Sequence, residues 1–258
     1  GNPTRDALGR ALADLEGGAG AVVTASGMGA VSLVTQLFKP DQVAVVPHDC
    51  YGGTYRLFNA LNLRGALQVR FVDFQDAAAL NAAIADQPAL VWIETPSNPL
   101  LRIVDIAAVA ARARAVGAMV VADNTFLSPV WQQPLALGAD LVIHSTTKYL
   151  NGHSDVVGGA VIAATAELHE QAKWWGSCIG VTGAPFDSFL TLRGLRTLHA
   201  RMRAHGENAQ RIAELLMRHP AVARVYYPGL AAHPGHDIAR RQQRGFGAMV
   251  SFELRGGV

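Results

Sequence analysis

Cysteine, lysine, net charge and long apolar runs are all scarce in this chain, and each scarcity excludes something. Two cysteines, Cys50 and Cys178, stand far apart among 258 residues, and neither belongs to a CxxC. They form no disulfide framework and read as reduced thiols of a cytoplasmic protein. The nine histidines contain no HExxH and no paired ligand spacing, so no metal is expected. A formal charge of +2 gives no electrostatic case for nucleic acid or for an anionic membrane as partner. The longest near-apolar run, Val156 to Ala166, holds two glycines and is too short to span a bilayer. No secretory leader is read at residue 1.

What is abundant is core. Hydrophobic residues make up 50% and charged residues 16%, the balance of a well-buried globular protein. The length suits one large domain, or one domain and part of a second. Continuous Val/Ile/Leu runs predict strands at 21–24, 43–46, 67–72, 90–93, 119–122, 141–144 and 156–163. Such runs suit strands covered on both faces. Helical stretches lie between them, at 30–37, 55–63, 77–85, 106–116 and 168–175. This alternation predicts an α/β fold with a mainly parallel central sheet flanked by helices. Residues 186–220 read as a long helical connector, broken near Gly206, and 223–227 and 249–254 as strands of a smaller C-terminal α/β domain. The expected boundary falls at 185/186, giving domains 1–185 and 186–258.

Three lysines stand against nineteen arginines, so each lysine can be weighed singly. Lys39 sits in a Phe-Lys-Pro-Asp turn and Lys173 in a helical stretch, both ordinary solvated positions. Lys148 follows a buried strand and the hydroxyls of Ser145, Thr146 and Thr147. It either snorkels to water or does chemistry.

In parallel sheets the ligand sits beyond the carboxyl ends of the strands. Those ends here carry Ser26-Gly27-Met28-Gly29, Asp49-Cys50-Tyr51-Gly52-Gly53, Glu94-Thr95-Pro96-Ser97-Asn98-Pro99, Asp123-Asn124-Thr125 and Ser145-Thr146-Thr147-Lys148. A Gly-rich turn into a helix can cradle a phosphate, although it is also common packing chemistry. An aromatic beside two glycines can lie on a planar ligand or wedge a loop. Each item is ordinary alone. Together they supply an amine, a carboxylate, hydroxyls, an anion site and a stacking ring. That set matches the needs of pyridoxal 5'-phosphate (PLP): an ε-amine for its aldehyde, a carboxylate for its pyridine nitrogen, donors for its phosphate.

These stretches, with Gly1-Asn2-Pro3-Thr4 and the run from Ser145 through Asn151-Gly152-His153-Ser154-Asp155, resemble the Cys/Met-metabolism family of PLP-dependent enzymes. Trp174-Trp175, Gly180-Val181-Thr182-Gly183 and Gly245-Phe246-Gly247-Ala248-Met249 resemble a γ-replacement branch of it. The resemblance implies the PLP-dependent transferase fold (fold type I) and a homotetramer built as a dimer of dimers. It implies small amino-acid substrates, an O-acyl-L-homoserine and L-cysteine. Lys148 would be the Schiff-base lysine and Asp123 the partner of the pyridine nitrogen. Tyr51 would stack on the ring and contact substrate. Gly27 and Met28 amides, with Ser145 and Thr147 hydroxyls, would hold the phosphate, and Asn98 would lie near the ring oxygen. Arg56 matches a substrate-contacting arginine, or is a surface helix arginine. Sister lyase or sulfhydrylase activities would use the same set, as would a silent PLP-binding regulator. The family's Tyr-x-Arg element before the Asn-Pro-Thr segment, and its later Ser-Leu-Gly-Gly segment and carboxylate-gripping arginine, are not in this sequence. The chain is therefore expected to be an internal portion of a longer protein.

Overall fold

A computed structural model describes residues 1–256. In chain order the elements are α1 (Pro3–Glu16), β1 (Gly20–Thr24), α2 (Gly27–Thr35), β2 (Val43–Pro47), α3 (Gly52–Leu63), β3 (Gln68–Val72), α4 (Ala77–Ala85), β4 (Leu90–Glu94), α5 (Ile106–Ala115), β5 (Met119–Asp123), α6 (Ser128–Trp131), β6 (Leu141–Ser145), β7 (Gly159–Ala163), α7 (Ala166–Ile179), α8 (Pro185–Leu195), α9 (Leu198–Arg218), β8 (Val222–Tyr226), α10 (His236–Gln242) and β9 (Ser251–Leu254). Seven strands form one sheet in the order β1-β7-β6-β5-β4-β2-β3, and β8 pairs with β9 in a separate ribbon. The pairs β3–β2, β2–β4, β4–β5 and β5–β6 are parallel, while β7 runs antiparallel to both β6 and β1.

The strand runs are continuous because both faces are covered, and the pleat sorts their side chains. Val46, Trp92, Val121, Ile143 and Val161 point to one face, under Leu33 and Val34 of α2 and Phe58 of α3. Val45, Val91, Ile93, Val120 and Ala122 point to the other, against Ile84 of α4 and Val109 and Ala113 of α5. Towards the β7 side, Val142, Ala160 and Ile162 meet Leu8 and Leu12 of α1 and Met202 of α9.

Two expectations need correction. The run 156–163 becomes a strand only from Gly159. Residues 156–158 instead fold onto the Lys148 loop, where the Gly158 N–H donates to Thr147 Oγ1 (3.1 Å) and its carbonyl accepts from the Thr146 N–H (3.0 Å). The connector breaks between α8 and α9 at Arg196–Thr197 rather than at Gly206. Arg201 staples that break, donating to the carbonyls of Gly194 (2.9 Å) and Tyr149 (2.8 Å). Gly206 lies inside α9 for packing, since a Cβ there would come within 2.9 Å of the Trp131 ring. Three helices, α1, α6 and α10, lie outside the sequence expectations. α1 has a full set of end signals: Asn2 caps the N–H groups of Thr4 and Arg5, Pro3 opens the helix, and Gly17 closes it in the left-handed region.

Candidate active site

β4, β5 and β6 end side by side, with Glu94 paired in register to Asp123 and Asp123 to Ile143. By the pleat, Glu94, Asp123 and Ser145 share the face occupied by α2 and α3. A cavity of about 1100 Å3 opens there. Its lining brings together Gly27, Met28, Tyr51, Asn98, Asp123, Ser145, Thr147 and Lys148 from five separate stretches of chain. Arg56 is not in the lining; it is exposed on α3, one turn past Gly52. Lys39 and Lys173 are exposed elsewhere, Lys173 with its Nζ 3.1 Å from Glu170 Oε1.

Local sequence explains each placement. Ser26 caps α2 by accepting the Gly29 N–H (3.0 Å). The N–H groups of Gly27 and Met28, in the same first turn, find no acceptor among the described residues. Gly27 is required because a Cβ would sit 2.8 Å from Ser145 Cβ, which lets the helix end approach β6. The Ser145 backbone is fixed by donating its N–H to Thr125 Oγ1 (2.9 Å). Tyr51 is half exposed and lies over Gly53, where a Cβ would meet the ring at 2.6 Å and Met28 Sδ at 2.8 Å.

Asp123 accepts the Thr125 N–H (2.9 Å). Burial raises its pKa above the ordinary aspartate range, an effect opposed by the hydrogen bonds of Thr125 and the charge of His144. Glu94 was noticed in the sequence only as the start of a rigid loop. Its Oε2 accepts the Tyr51 N–H (2.6 Å) and its Oε1 the Trp92 indole N–H (3.0 Å). Burial first, and then the charge of Asp123, push its pKa to about 7. Cys50 is buried, and burial followed by the charges of Glu94 and Asp49 raises its thiol pKa, so it is no ready nucleophile. The Lys148–Asp155 loop and α9 add Tyr149, Ser154, Asp155, Arg201 and His205 to the outer lining.

On the opposite face the same strand ends carry Asn124 and His144. His144 Nε2 lies 2.5 Å from Glu16 Oε1, which also accepts from Asn124 Nδ2 (2.8 Å). All three are buried, and Glu16 Oε2 has no partner among the described residues.

Unused N–H groups at the start of a helix, a bare glycine beside a serine, a carboxylate and one amine describe an anion cradle with a reactive end. This donor set fits PLP. Comparison with known proteins points the same way. The model of the family described as Cys/Met metabolism PLP-dependent enzyme matches residues 1–258. Cystathionine gamma-synthase of Escherichia coli (strain K12) is 60% identical over 99% of this chain and 67% of its own length. Cystathionine beta-lyase of Coxiella burnetii is 50% identical over 98% of the chain and 66% of its own length. A crystal structure of cystathionine gamma synthase from Xanthomonas oryzae pv. oryzae in complex with cystathionine superposes with a TM-score of 0.98 at 63% identity, covering 100% of this chain and 67% of the other. The chain thus spans about two thirds of the length of these relatives. A family match over residues 1–258, a shared fold and a cavity whose donor set fits the cofactor agree, and the chain belongs to the Cys/Met metabolism PLP-dependent enzyme family.

Proposed function

We propose that this protein catalyses a PLP-dependent γ-replacement, in which O-succinyl-L-homoserine and L-cysteine give L-cystathionine and succinate. The observation that carries the reading is the convergence of Lys148, Asp123, Tyr51 and the α2 N-terminus on one cavity, in a chain 60% identical to a cystathionine gamma-synthase. PLP would be held covalently by Lys148, and when bound it supplies an electron sink for carbanion chemistry at the amino acid.

The chain's own groups then have defined tasks. Gly27 and Met28 offer backbone N–H donors at the positive end of α2, with the hydroxyls of Ser145 and Thr147 beside them, so phosphate is bound where the helix dipole favours it. Asp123 would keep the pyridine nitrogen protonated, and the hydrogen bond it accepts from the Thr125 N–H fixes its direction. Tyr51 would cover the ring face, and Asn98, in the loop after β4, would lie near the ring oxygen. Freed when the substrate amine displaces it, Lys148 Nζ would take the proton from substrate Cα and serve as acid and base for the later transfers. The bond from Cγ to the succinyl oxygen breaks, the cysteine sulfur bonds to Cγ, and the thiol proton balances the released acid. Arg56, exposed one turn beyond the ring of Tyr51, would meet a substrate carboxylate outside the cavity lining seen here.

A lyase reading has its own support, since a cystathionine gamma-lyase of Dictyostelium discoideum is 46% identical over the whole chain. The two separate by assay. Purified protein is given succinyl- or acetylhomoserine with cysteine or sulfide, and cystathionine alone. The synthase reading expects cystathionine from the succinyl ester and cysteine, and little breakdown of cystathionine. Rapid breakdown with no synthesis contradicts it.

The same reading includes a homotetramer working in the cytoplasm, in keeping with the free thiols of Cys50 and Cys178. Among the described residues no helix is long and apolar enough to cross a membrane. Residues 1–185 would hold the cofactor and 186–258 would open a second domain, consistent with the separate β8–β9 ribbon. Positions 257 and 258 lie outside the described residues.

A further inference from the structure

Tyr51 stands at the N-cap of α3 but makes no capping bond with its side chain. Neither residue that follows it can cap either, because both are glycines. The first N–H of the turn is satisfied from another strand altogether, by Glu94 Oε2 at 2.6 Å. Glu94 Oε1 is anchored in turn by the indole of Trp92, whose ring is fully buried and packs edge-on against Phe58 of α3 (centroids 5.3 Å, 69°). A second tie joins the same two loops: Ser97 Oγ donates to Asp49 Oδ2 at 2.9 Å, and Arg102 lies 3.4 Å from that oxygen. The 48–51 loop is therefore pinned to the end of β4 at two points.

The pinning matters because of what Tyr51 rests on. Its ring lies over the bare α-carbon of Gly53 and faces Met28, beside the proposed phosphate donors. Glycines 52 and 53 leave the loop few side-chain contacts of its own, so the ring's position depends on where the Tyr51 backbone is held. In its ionised form, a carboxylate acceptor at a helix N-terminus is also well matched to the dipole.

We propose that Glu94 is a positioning residue that caps α3 from β4 and thereby sets the Tyr51 ring over the cofactor. It acts through Tyr51 rather than by touching the reacting atoms. The inference rests on the PLP reading above and deepens it.

The test is a double-substitution cycle read by cofactor affinity, not by turnover. Apoprotein is titrated with PLP, following the visible absorbance and the circular dichroism of the bound cofactor. The proteins are wild type, Glu94→Gln, Tyr51→Ala and the double variant, with far-ultraviolet circular dichroism as a check on folding. In Glu94→Gln at least one of the donors facing the carboxylate meets an NH2 group instead of an acceptor. Affinity should fall roughly tenfold, the size of a lost hydrogen bond to a charged group, and the cofactor's dichroic band should change. Once Tyr51 is Ala, the same substitution should cost less than about twofold, because the two residues act as one unit. Wild-type affinity in Glu94→Gln, or the same loss with and without the Tyr51 ring, overturns the inference. If Glu94→Gln does not fold, Ser97→Ala decides. It should weaken PLP binding about threefold, again only while Tyr51 is present, and an unchanged affinity overturns the two-point clamp. A wild-type protein that takes up no PLP sinks the underlying function and this inference with it, a result distinct from normal uptake with a silent Glu94.

Discussion

The two faces of the sheet at the ends of β4, β5 and β6 carry similar residues with opposite fates. On the α2/α3 face, Glu94, Asp123 and Ser145 look into a cavity, and the two carboxylates are held at raised pKa. On the α1 face, one residue after Asp123 and one before Ser145, Asn124 and His144 close on Glu16 in a buried network. The alternation of the pleat alone separates them. One face keeps room and unspent hydrogen-bonding capacity, which is what a ligand needs. The other spends nearly all of its capacity on itself, which is what a scaffold needs. Substitutions on the first face should therefore change chemistry more than stability, and on the second the reverse.

The largest effect is expected at Lys148. Lys148→Ala should abolish turnover while leaving the melting temperature of the cofactor-free protein close to wild type. Asp123→Asn comes next, with turnover reduced roughly a hundredfold or more, since a neutral pyridine is a poor electron sink. Its cofactor-free stability should be unchanged or higher, because a buried carboxylate is removed. Steady-state rates set beside urea unfolding midpoints check both, and a variant that loses both together breaks the contrast. On the opposite face, Glu16→Ala leaves His144 and Asn124 without their shared acceptor. It should cost about 3–5 kcal/mol of stability, and the molecules that remain folded should still take up PLP.

A pH series sharpens the contrast further. Glu94 has a folded pKa of about 7 against an ordinary value of 4.5. The folded state therefore binds a proton that the unfolded state has released, and this contribution to stability is full below about pH 4.5 and lost as pH rises to about 7. Asp123 shifts in the same direction. Cofactor-free protein should unfold at lower urea at pH 8 than at pH 5, and Glu94→Gln should show a shallower difference. An equal slope in the variant would assign the trend to other groups. The smallest effect belongs to Lys173→Ala on α7, whose exposed pair with Glu170 is worth at most a few tenths of a kcal/mol.

Much of this was legible in the chain, for identifiable reasons. The strands announced themselves as branched apolar runs because both faces of the sheet are dry. Lys148 stood out because arginine supplies nearly all of the other positive charge. α1 is marked only by local end signals, the Asn2 cap, Pro3 and the closing Gly17, and its first residues double as the Asn-Pro-Thr motif. The break near Gly206 was misplaced because glycine marks close packing as readily as it marks a turn; here it admits Trp131. Glu94 was missed for a deeper reason. Its partner is a backbone N–H from Tyr51, 43 residues away, and no residue-type pattern encodes such a pair.

Borohydride reduction after incubation with PLP, followed by peptide mass analysis, addresses the central claim most directly. The account predicts a visible absorbance band on the purified protein and a reduced pyridoxyl adduct on the peptide that contains Lys148, lost in Lys148→Ala. A colourless protein, or an adduct spread over Lys39 and Lys173 as readily as Lys148, would contradict it.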